Sequence, residues 1–90
     1  MAMGAVTVTT GATLIVAANT ARHSILIGNN SSTVTLYVGD STVTTANGIP
    51  IPPGATLLED SGGTTLWGGA IYGICASTVD THYWERTRGV

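Results

Sequence analysis

The chain contains no lysine, no phenylalanine and no glutamine, and only 9% of its residues are charged. An average soluble domain carries roughly 25%. Three arginines are its only permanent cations, and the net charge is −2. No basic patch exists to neutralise phosphates, which argues against nucleic acid as a partner. Nowhere do 18 apolar residues run together, so no membrane-spanning helix is expected. Residues 1–10 lack the basic start and apolar stretch of a secretion signal. The single cysteine, Cys75, cannot close an internal disulfide. Set between Ile74 and Ala76, it reads as a buried, inert thiol.

What the chain does have is threonine, 16 residues of it, and 12 glycines. Threonine suits a pleated surface because it is β-branched, and glycine suits tight turns. With 90 residues there is room for one domain, read as 1–90 with flexible ends at 1–4 and 87–90. A domain of this size builds an adequate core but not a generous one, so a partner or oligomerisation is a natural supplement. The charges are unevenly placed. Residues 1–58 carry only Arg22 and Asp40, whereas Glu59, Asp60, Asp80, Glu85, Arg86 and Arg88 crowd into the remainder. A free monomer usually stays soluble through a charged surface. This one either presents a neutral, hydroxyl-rich surface or has its surface covered.

Period-two patterning recurs along the chain. Val6 and Val8 alternate with threonines, Thr13-Leu14-Ile15-Val16-Ala17 is a short apolar run, and His23 opens another that ends at Gly28. Thr33-Val34-Thr35-Leu36-Tyr37-Val38 alternates cleanly, and the Asn-rich stretch before it reads as a hairpin loop. Residues 41–45 read as a short strand, followed by the turn signal Asn47-Gly48. In Ile49-Pro50-Ile51-Pro52-Pro53-Gly54 the isoleucines point one way and Pro50 and Pro52 the other. The two prolines lack N–H groups on one edge, so this segment predicts an edge strand or a strap across a barrel end, and Pro53-Gly54 suits the centre of a type II turn. Residues 55–59, 64–67, 70–76 and 78–86 supply further strands. In the last, Val79, Thr81, Tyr83 and Glu85 share one face, and Asp80, His82, Trp84 and Arg86 the other. No ten-residue stretch shows helical spacing. The expected fold is all-β: a small antiparallel sandwich or barrel, jelly-roll-like, of about seven to nine short strands.

Catalytic equipment is missing from this pattern. His23 and His82 do not lie at metal-ligand spacing from each other or from Cys75, and a site of His23, His82 and Asp80 is a poor match to zinc. No serine sits in a nucleophile elbow, and the six available make any paper triad meaningless. Glu59 and Asp60 are adjacent, so on a strand they face apart and cannot flank a cleft. Gly62-Gly63 and Gly68-Gly69 open no helix that would cradle a phosphate. Two overlapping Asn-x-Ser matches at 29–32 carry little weight without a secretion signal. No enzyme activity, cofactor or metal is therefore expected. Trp67, Tyr83 and Trp84 are the better candidates for contact. Tyr83 and Trp84 must face opposite ways, so one of them is left to meet solvent or a partner.

Ala12-Thr13-Leu14-Ile15-Val16-Ala17-Ala18-Asn19, then Arg22, Ser24-Ile25-Leu26-Ile27 and Asn29-Asn30-Ser31, resembles small virion proteins of tailed bacteriophages. So do Tyr37-Val38-Gly39, Val43-Thr44, Asn47-Gly48, Pro53-Gly54 and Ala70-Ile71-Tyr72-Gly73-Ile74, which extends the likeness over most of residues 10–86. These are turn and core signatures rather than a catalytic fingerprint, and the segment from Trp84 to Val90 departs from them. The resemblance implies a capsid decoration (cement) protein that binds and stabilises the assembled head. It would be made in the host cytoplasm and reside on the virion, with the major capsid protein as partner and a homotrimer favoured. The alternative is a carbohydrate-binding or adhesin module on a tail or fibre. In either reading the expected contact residues are Pro50, Pro52, Trp84, Arg86 and Arg88.

Overall fold

The computed structural model describes residues 2–19, 22–60 and 69–87. Among these residues there are eight strands and no helix: β1 (Ala2–Val8), β2 (Thr13–Val16), β3 (Arg22–Asn29), β4 (Leu36–Gly39), β5 (Ile49–Ile51), β6 (Thr56–Asp60), β7 (Ile71–Ile74) and β8 (Val79–Thr87). Alternating residues of β8 show why the chain extends. Val79, Thr81 and Glu85 are buried and Tyr83 half-buried, while Asp80, His82, Trp84 and Arg86 between them are exposed. A strand with one dry face and one wet face is what this pattern specifies.

Two four-stranded sheets result, ordered β1-β8-β3-β6 and β2-β7-β4-β5. Every pairing is antiparallel. The pairs β1 with β8, β2 with β7, β3 with β6 and β4 with β5 are those of one long hairpin ribbon. Wrapping that ribbon on itself brings β8 beside β3 and β7 beside β4. The product is an eight-stranded jelly roll. Between the sheets lie Val8, Ile25, Ile27 and Val79 from the first, and Ile15, Leu36, Val38, Ile51 and Ile71 from the second, with Cys75 beside them. Cys75 is buried, its Sγ 3.4 Å from the carbonyl oxygens of Val8 and Ser77.

Several local readings hold. β5 is an edge strand, with Pro50 paired opposite Tyr37. Residues 52–55 form a type II turn, with Gly54 at φ 77° and Ala55 N donating to Pro52 O over 3.0 Å. Others need correction. The Asn-rich link after β3 is not a hairpin loop, because β3 and β4 lie in different sheets. The buried Asn29 redirects the chain there: its Nδ2 donates to Val34 O and Ile51 O, and its Oδ1 accepts from Ser31 N. Residues 33–35 are irregular for the same reason, with Val34 N donating to Ser31 Oγ. Residues 41–45 are turns rather than a strand. Thr42 N donates to Asp40 Oδ1, Thr44 N to Asn47 Oδ1 and Gly48 N to Thr44 O, and such local bonds outcompete a ladder. Of the two isoleucines in β5, Ile51 enters the core at 2% exposure, but Ile49 remains 53% exposed at its margin. Residues 2–4, read from sequence as a loose end, pair in β1 with residues 83–85 of β8. The segment 64–67, expected as a strand, lies outside the described residues, as does residue 88–90 of the expected C-terminal end.

Candidate functional site: the open face of the first sheet

The first sheet presents its outer face through alternate residues of four strands. Register fixes the rows. Met3 stands opposite Trp84, Trp84 opposite Leu26, and Leu26 opposite Leu58. This apolar row crosses the whole sheet, with Met3 70%, Leu58 62% and Trp84 38% exposed. The adjoining row is Ala5, His82, Gly28 and Thr56, which is smaller and more polar. Height therefore changes from one row to the next. A shallow groove of about 730 Å³ runs between Met3, Ala5, Leu26, His82 and Trp84, and a second of about 300 Å³ lies between Leu26, Gly28, Asn30, Thr56 and His82. Asp80 and Arg86 mark the two ends of the face along β8, both exposed.

Why Trp84 rather than Tyr83 faces out follows from β8's phase. Tyr83 is on the side of Val79 and Thr81, packs on the core, and lies against Gly4, where an added Cβ would meet its ring and hydroxyl at 3.0 Å. The phase itself is anchored by a feature that reading the sequence missed. Glu85 lies inward and forms a buried ion pair with Arg22, Nε to Oε2 at 2.5 Å. Arg22 also donates to Gly69 O at 3.1 Å and Ala17 O at 3.0 Å, which ties β3 and β8 to both segments that flank the second sheet. A lone carboxylate on an otherwise apolar strand face was the available signal, since a buried charge requires a partner.

The outer face of the second sheet is not equally open. The link of residues 40–48 folds over its β4 part, so that Val43 is 5% exposed and would meet a Cβ added at Gly39 at 3.0 Å. Asp40 starts this link. The hydroxyl and backbone N–H of Thr42 both donate to its carboxylate, at 2.5 and 2.8 Å, and hold its pKa below the ordinary value of 3.8. A cavity of about 330 Å³ opens between the sheets, bordered by Ile25, Ile27, Leu57, Ile49, Ile71, Gly39 and Asp40. Among the described residues that border it Asp40 is the one ionisable side chain, and Thr42 already donates to that carboxylate.

Of the residues expected to make contact, Trp84 and Arg86 lie together on the open face. Pro50 and Pro52 are exposed on the second sheet's margin and in the turn after it, so the two groups belong to different surfaces. Arg88 and Trp67 lie outside the described residues, and so do the side chains of His23, Glu59 and Asp60. Met3, Leu26 and Leu58 were missed as contact candidates; only the register across β1, β8, β3 and β6 puts them in line with Trp84. Among the described residues no three His, Cys, Asp or Glu side chains gather as a metal site would require, and no helix is long and apolar enough to cross a membrane. The chain matches no known protein family, and comparison with curated proteins and with solved structures finds no similar chain.

Proposed function

We propose that this protein is a structural module that works by protein–protein contact within a large assembly, and that the assembly is the head of a tailed phage. The apolar row of Met3, Trp84, Leu26 and Leu58, open on a face with few charges, is the observation that carries this reading. Exposed apolar groups that form a continuous band across a sheet mark an interaction surface, whereas scattered ones do not. Tryptophan in such a setting is the residue type that most often anchors an interface. The head, as opposed to another assembly, rests on the resemblance to phage virion proteins. The jelly roll is compatible with it but does not decide it, because viral shells and lectins share this architecture. In this role the protein decorates the assembled shell of the major capsid protein. Many weak contacts, repeated over many copies, then oppose internal pressure on the shell.

Purified protein added to undecorated phage heads should co-sediment with them and appear as density on the shell by cryo-electron microscopy. Trp84→Ala should reduce occupancy at fixed concentration by about tenfold or more. Absence of co-sedimentation at saturating protein would sink the reading. A second reading has one observation in its favour: the Trp84 indole is flanked along β8 by the exposed hydrogen-bonding side chains of His82 and Arg86, a combination that suits stacking on a sugar ring. Glycan-array binding that Trp84→Ala abolishes would establish that alternative.

A further inference from the structure

The open face is complementary to itself. Along β8 it reads Asp80, His82, Trp84, Arg86. Reversed, it reads cation, indole, imidazole, carboxylate. A second copy laid face to face on the first, related by a twofold axis that crosses the strands at the level of Tyr83, therefore sets Asp80 against Arg86 of the second copy and His82 against Trp84 of the second copy. The same rotation keeps each strand over its own counterpart. It lowers the tall row onto the low one: Met3 onto Ala5, Leu26 onto Gly28 and Leu58 onto Thr56 of the second copy. Each contact occurs twice, as an isologous interface requires. Sheets pack face to face at about 10 Å when the side chains of one enter the gaps of the other.

We infer that the occupant of this face is a second copy of the chain, held by a twofold contact centred on β8. This rests on the reading of the face as a protein interface, and it replaces the threefold arrangement favoured by the resemblance. Charge supports it: the one carboxylate and the one guanidinium at the two ends of the face along β8 meet opposite signs. Shape supports it as well, because the low row has room. Among the described residues a Cβ added at Gly28 would meet only Thr56 Cγ2 at 3.5 Å and His82 O at 3.9 Å, so none of their side chains fills the space directly above it. Size sets its strength. Four strands about 4.8 Å apart and seven residues at about 3.3 Å give a face of roughly 440 Å². Two such faces total about 900 Å², in the weak class below roughly 1,200 Å². The pair is thus concentration-dependent in solution and populated where an assembly raises the local concentration to the millimolar range.

Sedimentation equilibrium of the full chain tests this, with circular dichroism to verify that each variant is folded. A reversible monomer–dimer equilibrium is expected, its dissociation constant raised at least about tenfold by Trp84→Ala. Asp80→Arg and Arg86→Asp should each weaken the pair by about tenfold, and the double variant should restore it, since the swapped charges again meet their opposites. Gly28→Val, whose Cβ would make only ordinary contacts in the monomer and whose folding is verified by circular dichroism, should also weaken it by filling the low row. A chain monomeric at about 1 mM, a trimer, or a dimer indifferent to all four substitutions would overturn the inference. So would a double swap that fails to recover. Head binding separates this from the broader reading: heads that bind a strictly monomeric chain leave the reading intact and remove only the twofold pair. A chain that pairs but never binds heads does the reverse.

Discussion

Four buried polar side chains of the first sheet are placed in contrasting ways. Arg22 and Glu85 satisfy each other inside the sandwich. Breaking such a pair leaves a charge stranded, so Glu85→Ala should destabilise by about 3–5 kcal/mol, whereas the double change Arg22→Met with Glu85→Leu should cost far less. Asn29 holds the crossing between the sheets through its side-chain amide, and the turn at 52–55 through its backbone, whose N–H donates to Ala55 O and whose carbonyl accepts from Gly54 N. Thr81 is the opposite case: fully buried, with an Oγ1 that finds no hydrogen-bond partner among the described residues. Thr81→Val keeps the shape and removes the unsatisfied hydroxyl, so it should stabilise by about 1–2 kcal/mol. Urea unfolding reads all three changes, and a destabilised Thr81→Val would show that the hydroxyl has a partner in solution. The partners that these side chains meet were not legible from the sequence. Glu85 was assigned to its correct face, but a partner 63 positions away in the chain leaves no local trace. Asn29 looked like a residue of a polar loop, because burial of an asparagine depends on what lands on it after the chain crosses over.

At the scale of elements, the sequence was most legible where backbone stereochemistry is decisive. Pro53 and Gly54 admit few turns other than the type II turn seen, and the phase of β8 follows from its alternation. It was least legible in residues 40–48, where β-branched threonines suggest a strand but the Thr44 hydroxyl accepts from Ala46 N and Asn47 N, and the Asp40 carboxylate accepts from Thr42 N. Gly48 shows how closely this link is packed, since a Cβ there would lie 2.7 Å from Tyr37 Cβ and 3.1 Å from Thr44 O. Gly48→Ala should therefore destabilise by about 1–3 kcal/mol. The link should also respond to acid. Folding lowers the Asp40 pKa, so the stability it contributes is present above pH 3.8 and is lost as pH falls through the lower folded value. An NMR titration that follows the Asp40 carboxyl and the Thr42 amide should show a midpoint below 3.8 that Asp40→Asn abolishes; a midpoint at or above the ordinary value would disprove the caged carboxylate.

The whole molecule carries a topological consequence for how it forms. Its four ribbon pairs enclose nested loops: residues 40–48 within β4 and β5, 30–55 within β3 and β6, 17–70 within β2 and β7, and 9–78 within β1 and β8. Each doubling of a flexible loop adds about 0.6 kcal/mol to its closure, so the innermost pair is the least costly to form first. Once it forms, it shortens the effective loop for the next pair, and the ribbon closes outward. Folding of such a fold is slow, in the millisecond-to-second range, because most of its contacts join distant parts of the chain. Substitutions at the inner pair, such as Val38→Ala or Ile51→Val, should then slow folding, with φ-values of about 0.5 or more. Substitutions at the outer pair, such as Val8→Ala or Val79→Ala, should chiefly speed unfolding. Stopped-flow fluorescence over a urea series measures both arms. High φ-values at Val8 and Val79 with low ones at Val38 and Ile51 would mean that the ends of the ribbon meet first, and that the nesting of its loops does not order its assembly.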